Sequence, residues 1–168
     1  AMKHVCEAMC QEAGVEVAFH SLICGARKRG SRIQSVLVAN KGGLCRARGK
    51  VFVDCTGDAD LAAFSGAAFE MGRVQDGLCQ PMTLNFRMVG VDETRIPARA
   101  EIQVIFRRAK AEGRLTNPRE NLLFFLTPRK GEVHFNTTRI VGIDPTNPVQ
   151  LSQAEAEGRR QVREIVEF

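Results

Sequence analysis

The chain contains no tyrosine and no tryptophan, and ten phenylalanines supply all of its aromatic content. Surfaces that stack nucleobases or cage cations draw on the two missing residue types, so such recognition is poorly supplied. Strong charge of one sign is lacking too: 24 Lys and Arg stand against 19 Asp and Glu, a formal excess of +5. Arg27, Lys28, Arg29 and Arg32 form one basic cluster and Lys41, Arg46, Arg48 and Lys50 another, on either side of an expected hairpin. They read as a solvated strand edge, where charge discourages edge-to-edge aggregation, with no nucleic-acid partner. No secretory segment is visible, and no run of about 18 apolar residues offers a membrane span.

Cysteine pairs at metal-binding spacing are also missing. The cysteines are Cys6, Cys10, Cys24, Cys45, Cys55 and Cys79, with no C-x-x-C among them. Cys6 and Cys10 share a helix face, but no second pair or histidine cluster completes a metal site. Their apolar neighbours predict small buried hydrophobes in a reducing, cytoplasmic setting.

What is present is enough for a core: 168 residues, 44% of them hydrophobic, make one large domain or two small lobes. Met2, Val5, Cys6, Met9, Cys10 and Ala13 recur on one helical face, and Gly14 follows where a left-handed cap belongs. Residues 15–23 alternate as a strand. Ile33 to Val38 alternates again, Asn40-Lys41-Gly42-Gly43 turns, and Leu44 to Val53 returns as a hairpin. Val51-Phe52-Val53 reads as the buried end of that strand, Thr56-Gly57-Asp58 as a break, and Leu61-Ala62-Ala63 as a helix start whose orphan amides Asp58 can accept. In open α/β sheets ligands bind beyond the carboxyl ends of strands, which places chemistry at Thr56 to Asp60.

A polar, Gly-flanked loop at 72–77 is the candidate boundary between lobes. Beyond it, Met82 to Val89 alternates as a strand. Ala98, Ile102, Ile105, Phe106 and Ala109 mark a helix closed at Gly113. Leu122 to Leu126 reads as a buried strand, with Glu132 to Arg139 as its hairpin partner. Strand periodicity puts His134, Asn136 and Thr138 on one face, where they could meet a substrate anion. Ser152 and Glu155 form a capping box for a last helix with Gly158, Val162, Ile165 and Val166 on its apolar face.

Three segments carry a resemblance. Val51 through Ala67 resembles the ATGD-x-DLA-x-x-AG segment of a family of FAD-dependent oxidoreductases, itself distantly similar to fumarate reductase and succinate dehydrogenase flavoproteins. Gln80 to Arg87 is similar to a second segment, and Asn136-Thr137-Thr138-Arg139 through Gly142-Ile143-Asp144 and on to Gln161 to a third. The resemblance implies an α+β fold: an antiparallel β-meander plus a mixed or antiparallel sheet, with flanking helices. It implies residues 1–76 as a partial FAD-binding domain and 77–168 as a partial substrate domain. FAD is the implied cofactor, with Thr56 and Gly57 against it through their backbones, Asp58 as a polar or capping contact, and Ile23 at the strand end that holds the adenine. Arg139 matches the family's Asn-x-Thr-Arg segment, a guanidinium being suited to a carboxylate-bearing substrate, and Arg139 with His134 of the opposite strand face are the candidate catalytic residues, neither assigned as general acid or base.

The family's phosphate-cradling G-x-G-x-x-G is absent: Gly25 to Gly30 and Gly42-Gly43 have the wrong spacing. The chain is therefore expected to be an internal fragment whose partners are a small-molecule substrate and a missing N-terminal FAD-binding segment, with room for a homo-oligomer. The expected activity is transfer of hydride or electrons between an organic substrate and flavin, with the isolated chain inactive. The alternative is a non-catalytic basic binding or assembly module of flavoprotein-like architecture.

Overall fold

A computed structural model describes residues 2–168 and divides the chain into two compact units, Ala1–Glu70 and Met71–Phe168. Among the described residues, four α-helices and two small antiparallel sheets make it an α+β protein.

In the first unit, α1 (Met2–Glu12) ends at Gly14, whose φ of 67° supplies the left-handed cap expected there. Its apolar stripe is not buried: Met2, Val5 and Met9 are all exposed. The strand expected over 15–23 begins only at its end. A left-handed His20 breaks the extended run, and β1 occupies Leu22–Arg29 instead. A tight turn at Gly30-Ser31 leads into β2 (Arg32–Asn40), and Lys41-Gly42 leads into β3 (Gly43–Arg48), giving the meander order β1-β2-β3. Asn40 Oδ1 accepts the Gly42 amide at 2.9 Å, which fixes the second turn. Only one sheet face has a core. Val36 and Val38 bury against Leu61 of α2 (Asp60–Phe64), joined by Ile23, Ala26, Ile33 and Phe52.

Val51-Phe52-Val53 is not a strand. Phe52 reaches the core, but Val51 and Val53 are 79% and 78% exposed because no neighbouring strand pairs with them. The cysteines also depart from expectation: Cys6, Cys45 and Cys55 are exposed and Cys10, Cys24 and Cys79 half-buried, since α1 and β3 each bury none of their residues.

The second unit is built on β4 (Phe86–Met88), β5 (Phe124–Leu126) and β6 (Val133–Phe135), in the order β4-β6-β5. Its core joins Phe106 and Ala109 of α3 (Arg99–Ala111) with Leu115, Leu122 and Ile165, and Phe86, Phe124, Phe135 and Phe168 pack on it. The strand expected to be fully buried is half open: Phe125 and Leu126 are exposed.

The last helix, α4 (Pro148–Glu167), starts before the expected capping box. Asn147 is its cap, accepting the Val149 and Gln150 amides at 3.0 and 3.2 Å, with Pro148 preset in the first turn. Ser152 donates to the Pro148 carbonyl one turn inside. The buried stripe is Ala154, Gly158, Gln161 and Ile165, while Val166 is exposed. Gly158 is needed for close approach, since a Cβ there would lie 3.1 Å from Leu84 Cβ.

Candidate functional site

The turn that follows residue 53 is organised by a carboxylate, Asp54. Its Oδ1 accepts the Thr56 amide at 3.0 Å and the Thr56 hydroxyl at 2.6 Å, and its Oδ2 accepts the Ala62 amide at 2.9 Å. Thr56 Oγ1 in turn accepts the Asp60 amide at 2.7 Å. The donors at the start of α2 are thus satisfied by Asp54 and Thr56, and Asp58 does not take the capping role expected of it. Ala59, with a φ of 56°, turns the chain so that the helix opens above Asp54 while Asp58 stays exposed. The Thr56 hydroxyl, then the Ala62 and Thr56 amides, hold the Asp54 carboxyl below the ordinary aspartate range.

This geometry bears on what the turn could hold. A Cβ built on Gly57 meets nothing within 4 Å, so its backbone is open to an approaching group. The polar side-chain atom of Thr56 is used inside the turn. Because a carboxylate already occupies the helix-start amides, they are not free to receive a phosphate group. Ile23 lies on the edge strand β1, opposite Val38, and packs into the same core cluster as Leu61.

In the second unit His134 is the centre of a cross-strand row, paired with Arg87 on β4 and Phe125 on β5. The His134 and Phe125 rings lie 6.3 Å apart, and Arg87 donates to the buried Glu132 at 2.9 Å. Its neighbours Val133 and Phe135 point the other way, into a recess of about 350 Å³ that Met88, Ile96, Ile102 and Phe124 also line and where Asp92 and Arg95 are the charged groups.

The face expected to unite His134, Asn136 and Thr138 does not persist, because β6 ends at Phe135. Thr137 and Thr138 are both fully buried and act as backbone staples. Thr137 Oγ1 accepts the Leu123 amide at 2.9 Å and donates to its carbonyl at 2.8 Å. Thr138 Oγ1 treats Leu84 likewise, at 2.7 and 3.1 Å. Arg139 is held through its backbone: its amide donates to Gln161 Oε1 at 2.8 Å and its carbonyl accepts from Gln161 Nε2 at 3.1 Å. Among the described residues its guanidinium enters no ion pair, and no hydrogen bond joins it to His134.

Asp54 was the organising residue that sequence reasoning missed. Its signal is Asp-x-Thr, which recurs as Asp92-Glu93-Thr94 and Asp144-Pro145-Thr146. At both of these the aspartate accepts the threonine amide and hydroxyl in the same way.

The family described as FAD dependent oxidoreductase matches the chain over residues 1–168, and the chain belongs to that family, whose role is flavin-linked redox chemistry. No curated protein and no solved structure matches it. No helix among the described residues is long and apolar enough to cross a membrane.

Proposed function

We infer that this chain is part of an enzyme that passes hydride or electrons between a small organic substrate and FAD, in a reducing, cytoplasmic setting. The family match along the whole chain carries this reading. Residues 1–76 serve as part of the FAD-binding domain and 77–168 as part of the substrate domain. When bound, the flavin supplies the electron-accepting and electron-donating chemistry, and the protein positions it.

Gly57, through its open backbone, and Asp58, through its exposed carboxylate, would hold the hydroxyl-bearing chain of FAD, with Ile23 contributing backbone contact to the adenine. Thr56 acts by fixing the turn. Arg139, with no acidic partner among the described residues, suits a substrate carboxylate, and its backbone clamp to Gln161 limits where the guanidinium can reach. His134, in the cross-strand row with Arg87 and Phe125, is the second residue assigned to the substrate side. Replacing either His134 or Arg139 by Ala is expected to abolish most turnover of the complete enzyme, and wild-type kinetics in both would remove them from the site.

The direct test is titration of the purified chain with FAD, followed by flavin fluorescence, with FMN as control. Saturable binding that prefers FAD and weakens in Gly57→Val supports the reading. A Gly57→Val variant that binds as wild type contradicts the assignment of this turn, and equal binding of FAD and FMN contradicts the adenine contact at Ile23.

A further inference from the structure

The sheet of the first unit buries one face, and the other carries a concentration of cations that the flavin reading does not use. Ser35 on the central strand pairs with Arg27 on one side and Arg48 on the other, so all three side chains stand on the face opposite Val36 and Val38. Arg46 pairs with Leu37, two residues further along that face. A β-bulge between Arg27 and Lys28 leaves Gln34 without a partner and brings it to the same side. Together Arg27, Gln34, Ser35, Arg46 and Arg48 line a concavity of about 340 Å³. Ser35 lies at its floor, only 3% exposed, although the flanking strand β3 is exposed throughout.

The electrostatics are unbalanced. No acidic residue lines the concavity, and none of the ion pairs among the described residues involves Arg27, Arg46 or Arg48. Arg27 and Arg48 are separated by a single central strand, or about 10 Å, within the distance over which charges still repel at about 0.1 M salt. An anion between them relieves that repulsion and gains hydrogen bonds from planar guanidinium forks, a geometry that matches phosphate oxygens two at a time. Arg27 and Arg48, set about 10 Å apart across the central strand, suit an anion longer than one orthophosphate, and the absence of any aromatic side chain from the lining leaves nothing for a nucleobase to stack on.

We propose that this Arg27–Ser35–Arg48 face, with Arg46, is a binding site for an oligophosphate anion, recognised through its phosphates alone. It differs from the flavin-facing turn in its residues and stands or falls independently of it. Free pyrophosphate and the tail of a nucleoside diphosphate share the recognised chemistry.

The test is isothermal titration of the purified full chain with inorganic pyrophosphate, orthophosphate and ADP. The variants are Arg27→Gln/Arg48→Gln and, as a control elsewhere on the surface, Arg163→Gln. Arg27 and Arg48 are exposed, so the double variant is expected to keep its fold, checked by circular dichroism. Saturable pyrophosphate binding, stronger than orthophosphate, matched by ADP within about threefold, and weakened about tenfold or more in the double variant but not in Arg163→Gln supports the proposal. Pyrophosphate binding is expected to be the same in Gly57→Val and wild type, which separates the two sites. Absence of saturable pyrophosphate binding, or binding untouched by the double substitution, overturns it. So does a single-stranded oligonucleotide that binds through these arginines when pyrophosphate does not, since the face would then be a nucleic-acid surface.

Discussion

The two units hold their structure by different means. In Met71–Phe168, Phe106 and Ala109 are completely buried, and aromatic contacts radiate from them: Phe168 meets Phe106 edge-on at 5.6 Å, and Phe86 stacks on Phe135 at 4.8 Å. In Ala1–Glu70 the buried apolar side chains are Val36, Val38 and Leu61, on one face of one sheet, and α1 buries nothing. There the carboxylate of Asp54, bonded to Thr56 and to the Ala62 amide, takes over the work of joining loop to helix. A segment pinned by a few hydrogen bonds on a thin core opens locally at lower free energy than one clamped by aromatic packing. The candidate cofactor turn belongs to the first kind of structure and the scaffold of α3 and α4 to the second.

The largest expected effect is on the thick core. Phe106→Ala removes a fully buried ring and is expected to cost about 3–5 kcal/mol, read as early loss of amide protection in α3 and α4 during urea unfolding. Leu61→Ala strikes the thin core, where neighbours can collapse into the gap. It is expected to sit at the low end of the range, about 2 kcal/mol, with exchange accelerated in β2 and α2 and unchanged in α3. If the two substitutions cost the same, the contrast between the units fails.

Smaller effects sharpen the role of Asp54. Its carboxyl sits below the ordinary range when folded, so the stability it contributes is fully present above the unfolded-state value. That contribution drains away as the pH falls through the depressed folded value. The urea midpoint of wild type is expected to exceed that of Asp54→Asn at neutral pH, with the gap narrowing on acidification below about pH 4. A gap independent of pH would mean the charge is irrelevant. Least of all, Ala59→Gly relieves a left-handed alanine and is expected to stabilise by about 1 kcal/mol in the same assay, and a loss of stability would contradict the strain at that position.

The sequence showed the hairpin at Asn40 to Gly43 and the helix ends at Gly14 and Gly113, because local turn chemistry alone decides them. It misplaced what depends on neighbours. Val51 to Val53 has the composition of a strand but no ladder to join, and the alternation of residues 15–23 was broken by the backbone at His20. The capping box at Ser152 was overridden by Asn147-Pro148, a stronger local start. The loss of the His134, Asn136, Thr138 face has the same origin: β6 is short, and Thr137 and Thr138 turn inward to satisfy the backbones of Leu123 and Leu84, partners distant in the chain. The Asp-x-Thr signal was visible at all three of its occurrences, and only the fold shows that at Asp54 the second oxygen reaches Ala62.

The most direct test is hydrogen exchange of the chain with and without FAD, compared residue by residue. The account expects the cofactor to slow exchange in the segment from Thr56 to Ala62, where the Asp54 network holds a low-stability turn in place. FAD-dependent protection that leaves this segment unchanged would contradict it.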